Sequence, residues 1–179
     1  MTTVEPIRNL SDLKKVEFLL EKNKRNLLLF TLGINSGLRI SDILALDVQD
    51  VKDKKFIQIT EKKTGKFKKI PINSKLRPMI FEFTKNKSPN SPLFETVFKN
   101  RLDRFAAYEI IKTACKKAGI EGKIGTHTLR KTFGYHHYKK FKDVAILQKI
   151  FNHSSPSITL RYIGIEQDEI FESYENFIL

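Results

Sequence analysis

The chain has little of what several protein classes require. Its 179 residues include one cysteine, Cys115, and no tryptophan. A single thiol excludes an internal disulfide framework, and no Cys/His cluster has zinc-site spacing, so a reducing, intracellular setting is expected. The most apolar run, Leu27 to Ile34, is far too short to span a bilayer. Met1 to Leu10 lacks the apolar core of a signal peptide. Internal repeats and low-complexity tracts are also missing, which excludes solenoids and disordered polar arrays. Secretion and membrane insertion are therefore not expected.

Positive charge is plentiful. There are 33 Lys plus Arg against 20 Asp plus Glu, a net charge of +13 at pH 7. With 40% hydrophobic and 30% charged residues the composition is that of a globular protein. The length suits one domain with a real core. An excess of cations this large in a small domain suggests nucleic acid first and an anionic membrane surface second. A solvated, Lys-rich surface explains the same charge equally well.

The patterning predicts a mostly helical chain with a small inserted meander. Lys14 to Leu20 reads as a helix with Ser11 as N-cap. Arg25 to Ile34 is apolar all round and reads as a buried helix ended by Gly37 in the left-handed region. A short helix follows with Ser41 as its cap. Val48 to Val51, Lys55 to Thr60 and Phe67 to Ile72 read as three antiparallel strands, with a turn at Thr64-Gly65. Further helices are expected over 76–85, 101–118, 126–140, 143–151, 157–164 and 167–177. The predicted class is α+β, mainly α, with a small three-stranded antiparallel sheet.

Several residues could carry chemistry, each with an ordinary alternative. Arg39 follows Gly-Leu at a helix start, where backbone N–H groups already favour an anion. His127 and Arg130 are three apart on one helical face and would repel if both were charged. A shared anion between them resolves that conflict. Equally, His127 could cap the helix while Arg130 snorkels. His153 lies in a turn between helices. Tyr162 is one of five tyrosines, and a lone Tyr on an amphipathic helix is ordinarily half-buried core. Lys63 precedes the Thr-Gly turn, where an exposed hairpin Lys is the plain alternative.

The order of these signals is more informative than any one of them. Gly-Leu-Arg-x-Ser-Asp, Lys-Thr-Gly in a hairpin, His-x-Leu-Arg, His-Ser-Ser and then Tyr, between about Leu10 and Gly164, resemble the catalytic domain of the tyrosine recombinases, or phage integrase family. Residue by residue, the resemblance implies Arg39 as the first arginine and Asp42 as the acidic residue three places on. Lys63 matches the hairpin lysine, His127 and Arg130 the His-x-x-Arg box, and His153 the second His position. Tyr162 matches the nucleophile; Tyr108, Tyr135, Tyr138 and Tyr174 do not fall at that place. Phe151-Asn152 stands where Leu-Gly is usual, and Asn tolerates the left-handed turn. Lys131 follows Arg130 where His or Arg is common, and is expected to contact phosphate.

The resemblance implies a site-specific recombinase of a mobile element that cleaves and rejoins double-stranded DNA through a covalent 3′-phosphotyrosine. Arg39 and Arg130 would clamp the phosphate oxygens, and His127 and His153 would add hydrogen bonds and help move protons. Tyr162 would attack, Lys63 would protonate the departing 5′ oxygen, and Asp42 would orient a neighbour. Neither metal nor other cofactor is called for. Lys62, Lys66, Lys68, Lys139, Lys140 and Lys142 are candidates for contacts that position DNA.

Residues 1–179 are expected to form a single catalytic domain with no N-terminal core-binding domain, because Gly37-Leu38-Arg39 comes so early. The fimbrial-switch invertases are similarly short; a piece of a longer chain would look the same. The stripe Ile170, Phe171, Tyr174, Phe177 and Ile178 marks 166–179 as a C-terminal helix that docks on a neighbouring protomer or packs on its own domain. A homo-oligomer on DNA, a tetramer by family resemblance, is expected, with a monomer in solution and a cytoplasmic, nucleoid-associated location. A non-catalytic DNA-binding regulator on the same scaffold and a Lys-rich metal-dependent nuclease are the competing readings.

Overall fold

In the computed structural model, residues 4–178 are described, apart from the side chains of 166–169 and 173. Leu179, the last residue of the expected C-terminal segment, lies outside them. Helix α1 (Leu10–Leu20) begins one turn earlier than the pattern predicts. Its cap is Asn9, whose side chain accepts from the Ser11 N–H, so Ser11 lies inside the first turn. Helix α2 (Lys24–Ser36) is the buried helix expected, with Leu28, Leu29, Phe30 and Leu32 almost wholly covered. It ends where Gly37 takes φ 64°. A Cβ there would also lie 2.7 Å from the Phe133 ring, so two constraints call for glycine.

Helix α3 (Ile40–Ala45) starts directly after Arg39, with no side-chain cap. Ser41 is inside it. The sheet has two strands, not three. Val48–Asp50 forms a 3₁₀ turn in which Asp47 and Asp50 cap each other's backbone N–H groups. The error has a clear physical source: Val48 and Val51 are both buried but three residues apart, which is helical and not strand spacing. The Val48 and Gln49 N–H groups go to the Ser91 and Pro89 carbonyls, which leaves no ladder to form.

Strands β1 (Phe56–Thr60) and β2 (Phe67–Pro71) pair antiparallel, with Phe56 opposite Pro71 and Ile59 opposite Lys68. Helices α4 (Leu76–Thr84), α5 (Arg104–Lys117) and α6 (Thr128–Phe141) follow. Then come α7 (Val144–Phe151), α8 (Pro156–Ile163) and α9 (Glu166–Asn176). Asp143 caps α7, and Asn152 closes it at φ 56°, in the left-handed turn expected of Phe-Asn. Ser155 caps α8, with Pro156 at its first position.

Among the described residues there are two apolar cores. The larger surrounds α2 and takes in α1, α3, the sheet, α4, α5 and Leu129 of α6. The smaller joins α6, α7 and α8 through Tyr138, Leu147, Phe151, Ile163 and Ile165, with Tyr162 at its edge. Gly134, mid-helix in α6, allows the second core to close: a Cβ there would meet Ile163 at 2.6 Å and the Phe151 ring at 2.7 Å.

Candidate active site

The site lies between the two cores. Arg130 projects from the first turn of α6 and is 3% exposed. Its guanidinium donates to the carbonyls of Gly37 and Phe151, the latter at 2.9 Å, and lies over the Phe151 ring. It therefore touches the turn before α3 and the turn after α7. No carboxylate pairs with it among the described residues. An unpaired buried guanidinium fully satisfied on one edge by carbonyls suits an anion on its other edge.

Arg39 enters from the start of α3. Its Nη1 lies 2.6 Å from Glu61 Oε1 and 4.0 Å from Asp42 Oδ2. Asp42 is buried and accepts from the Lys62 N–H, so it links α3 to the hairpin. Glu61 is buried at the end of β1 and also lies 2.8 Å from Lys68 Nζ, while Thr64 donates to its other oxygen at 2.6 Å. Burial alone would raise the Glu61 pKa, but Arg39, Lys68 and Thr64 outweigh it and hold the carboxyl at about 2.

Tyr162 sits in the last turn of α8. Its hydroxyl lies 3.4 Å from His127 Nδ1, and its ring meets those of His127, His153 and Phe151 edge to face. Burial raises the phenol pKa above its ordinary value, and the Arg130 and Arg39 charges offset only part of that rise. Both guanidiniums therefore act on one phenol. His153 hydrogen-bonds through Nδ1 to Thr159 of α8, and its backbone is held by Gln148. Burial, assisted by nearby cations, lowers the pKa of both His127 and His153; for His127 the cations are Arg104, Arg130, Lys131 and Lys63. Both imidazoles are therefore neutral at pH 7.

Arg39, Asp42, His127, Arg130, His153 and Tyr162 are brought together. Lys63 stands exposed on the hairpin at the rim, close enough for its charge to reach His127. The other expected lysines divide. Lys62 is exposed; Lys66 reaches the Asn152 side chain. Lys139 pairs with Glu172, and Lys140 and Lys142 lie over the Phe141 and Tyr138 rings.

Lys68 and Lys131, both expected to contact DNA, lie inward and already have partners within the chain. Lys68 shares the inner face of β2 with Ile70, pairs with Glu61 and donates to the Ile150 carbonyl. Lys131 is 5% exposed, with Nζ over the Tyr162 ring. Glu61 is the residue sequence reasoning missed. The available signal was strand alternation: Ile57, Ile59 and Glu61 fall on one face, and only the last is charged. Among the described residues no three His, Cys, Asp or Glu side chains group as metal ligands, and no helix is long and apolar enough to cross a membrane.

Comparisons with known proteins identify the family. A model of the phage integrase family matches residues 10–169. The probable integrase/recombinase YoeC of Bacillus subtilis (strain 168) is 51% identical over 179 residues, 99% of this chain and 98% of that protein. The tyrosine recombinase XerA of Pyrococcus furiosus is 31% identical over 170 residues, 92% of this chain but 59% of the relative. The chain thus spans nearly all of one relative and little over half of the other. Among solved structures, a XerA recombinase superposes with a TM-score of 0.78 at 20% identity, covering 96% of this chain and 63% of that one. A lambda integrase dimer bound to a core site gives 0.73 at 16%, covering 91% and 49%. At those identities the structures speak for the fold alone.

Proposed function

The chain belongs to the phage integrase family of tyrosine recombinases; it is a site-specific DNA recombinase, and we propose the following roles for its residues in cleaving and rejoining a strand. The Tyr162 oxygen attacks the scissile phosphorus, displaces the 5′ oxygen and forms the 3′-phosphotyrosine. Neutral His127 faces that oxygen and accepts the phenol proton. Arg39 and Arg130 hold the non-bridging oxygens as negative charge spreads over them. His153 is fixed at Nδ1 by Thr159, and in its protonated form Nε2 donates a further hydrogen bond. Lys63, on the rim hairpin, gives a proton to the leaving oxygen. A free 5′ hydroxyl reverses these steps, so the bond energy is retained and no nucleotide is consumed.

The observation that carries this reading is the Tyr162 hydroxyl beside neutral His127 and under the charges of both Arg130 and Arg39. Residues 1–179 act as the catalytic unit. The partner is duplex DNA, and the working assembly is a homotetramer on two sites, in the cytoplasm. The exposed stripe on α9, with Tyr174 79% and Phe177 70% accessible, supports docking on a neighbouring protomer.

A nicked duplex drawn from the DNA on either side of the gene tests the assignment. The expected product is a covalent protein–DNA adduct that Tyr162→Phe does not form. An adduct that persists in that variant overturns the nucleophile. Tight, specific binding with no adduct on any such duplex would make the chain a DNA-binding regulator.

A further inference from the structure

We propose that Glu61 is a positioning residue for strand cleavage: its buried carboxylate fixes the Arg39 guanidinium and, through Lys68, ties it to the turn that carries His153. The proposal rests on the recombinase reading above and adds to it a residue that never touches DNA.

Both carboxylate oxygens of Glu61 lie against partners. One oxygen lies 2.6 Å from Arg39 and 2.8 Å from Lys68, the other accepts from Thr64, and the backbone N–H donates to the Lys66 carbonyl. Lys68 in turn donates to the Ile150 carbonyl, three residues before His153, while Lys66 donates to Asn152 at 2.6 Å. The hairpin that presents Lys63 is thus fastened at one end to Arg39 and at the other to the α7–α8 turn.

Burial lowers the pKa of Lys68 and of Arg130, and the Arg39 charge lowers both further, with Arg130 adding to the effect on Lys68. Without an acid among them they would spread apart, and the clamp would open before any phosphate arrived. Asp42 cannot replace Glu61, because its nearer oxygen is 4.0 Å from Arg39 Nη1 and its other oxygen serves the Lys62 N–H. With its carboxyl held at about 2, Glu61 stays ionised at every working pH. One edge of the Arg39 guanidinium is thereby anchored in the wall. The remaining N–H donors are left to face the substrate, and the side chain keeps 18% exposure. As a stabiliser of the fold such a buried pair would be close to neutral, so its value lies in geometry.

The experiment uses the nicked duplex above with the full chain. Glu61→Gln should leave the dissociation constant for DNA within about twofold and slow single-turnover adduct formation by roughly 10- to 100-fold, the scale of a misplaced catalytic group. Glu61→Gln/Lys68→Gln removes one of the two cations left unpaired by the single change, the one with no part in holding phosphate. It should regain wild-type melting temperature and stay slow. An unaltered rate in Glu61→Gln overturns the proposal, as does a rate that recovers with the melting temperature in the double variant. A wild-type chain that forms no adduct, or a Tyr162→Phe variant that does, instead overturns the underlying recombinase reading, and Glu61's role falls with it.

Discussion

The two arginines of the cradle are held in opposite ways. Arg39 belongs to the larger core and is neutralised by carboxylates, Glu61 closely and Asp42 more distantly. Arg130 bridges to the smaller core and has only carbonyls and the face of Phe151. One guanidinium is set by charge, the other by backbone. Arg130 therefore doubles as a joint, because the two carbonyls it binds are 114 residues apart in sequence, Gly37 and Phe151, and belong to different cores.

That contrast can be broken experimentally, most severely at Arg130. Arg130→Ala should reduce adduct formation by about 10²–10³-fold or more and also lower the melting temperature, since two buried carbonyls lose their donor. Arg39→Ala should match the first effect and show less of the second. Equal losses of stability in calorimetry would erase the distinction.

Next in size is Phe151→Ala, which should cost about 3–5 kcal/mol. If the small core opens by itself, hydrogen exchange will show α8 amides losing protection while α2 amides keep theirs. Leu29→Ala, in the larger core, should lower protection in both. Identical exchange patterns would mean one cooperative unit and not two.

The pH dependence is smaller. His127 and His153 titrate below their ordinary value of 6.5 in the folded chain. The unfolded chain therefore binds more protons just under that pH, and stability should be complete above it and fall as acid is added. His153→Gln should flatten the slope of urea stability between pH 5 and 7. A slope that does not change would place His153 outside the linkage.

The mildest test separates lysines by direction. Replacing exposed Lys62 or Lys63 with Gln should lower the slope of log Kd against log salt by about one each. Lys68→Gln should leave the slope unchanged, because its ammonium is already committed to Glu61 and Ile150.

Much of this was legible in the sequence because the informative features are local. Leu28 to Leu32 could only be a buried helix, Gly37 only its end, and the order Arg39, Lys63, His-x-x-Arg, His153, Tyr162 carried the site. What escaped was set by tertiary partners. Val48 and Val51 looked like a strand until the Ser91 and Pro89 carbonyls took their segment's amides. Ser11 and Ser41 looked like caps, yet Asn9 outcompeted one and Arg39 holds the position of the other. Lys68 read as one more surface cation because its counter-ion, Glu61, was not recognised across the hairpin.

Gly134 gives the arrangement a tolerance. A mid-helix glycine weakens α6 by roughly 0.5–1 kcal/mol relative to alanine, and in return Ile163 and Phe151 seat directly against the helix backbone. Ile163 adjoins Tyr162, so the thickness of that seat acts as a shim between nucleophile and clamp. One methyl group added at 134 would lift the phenol away from its target while leaving every other reacting side chain in place.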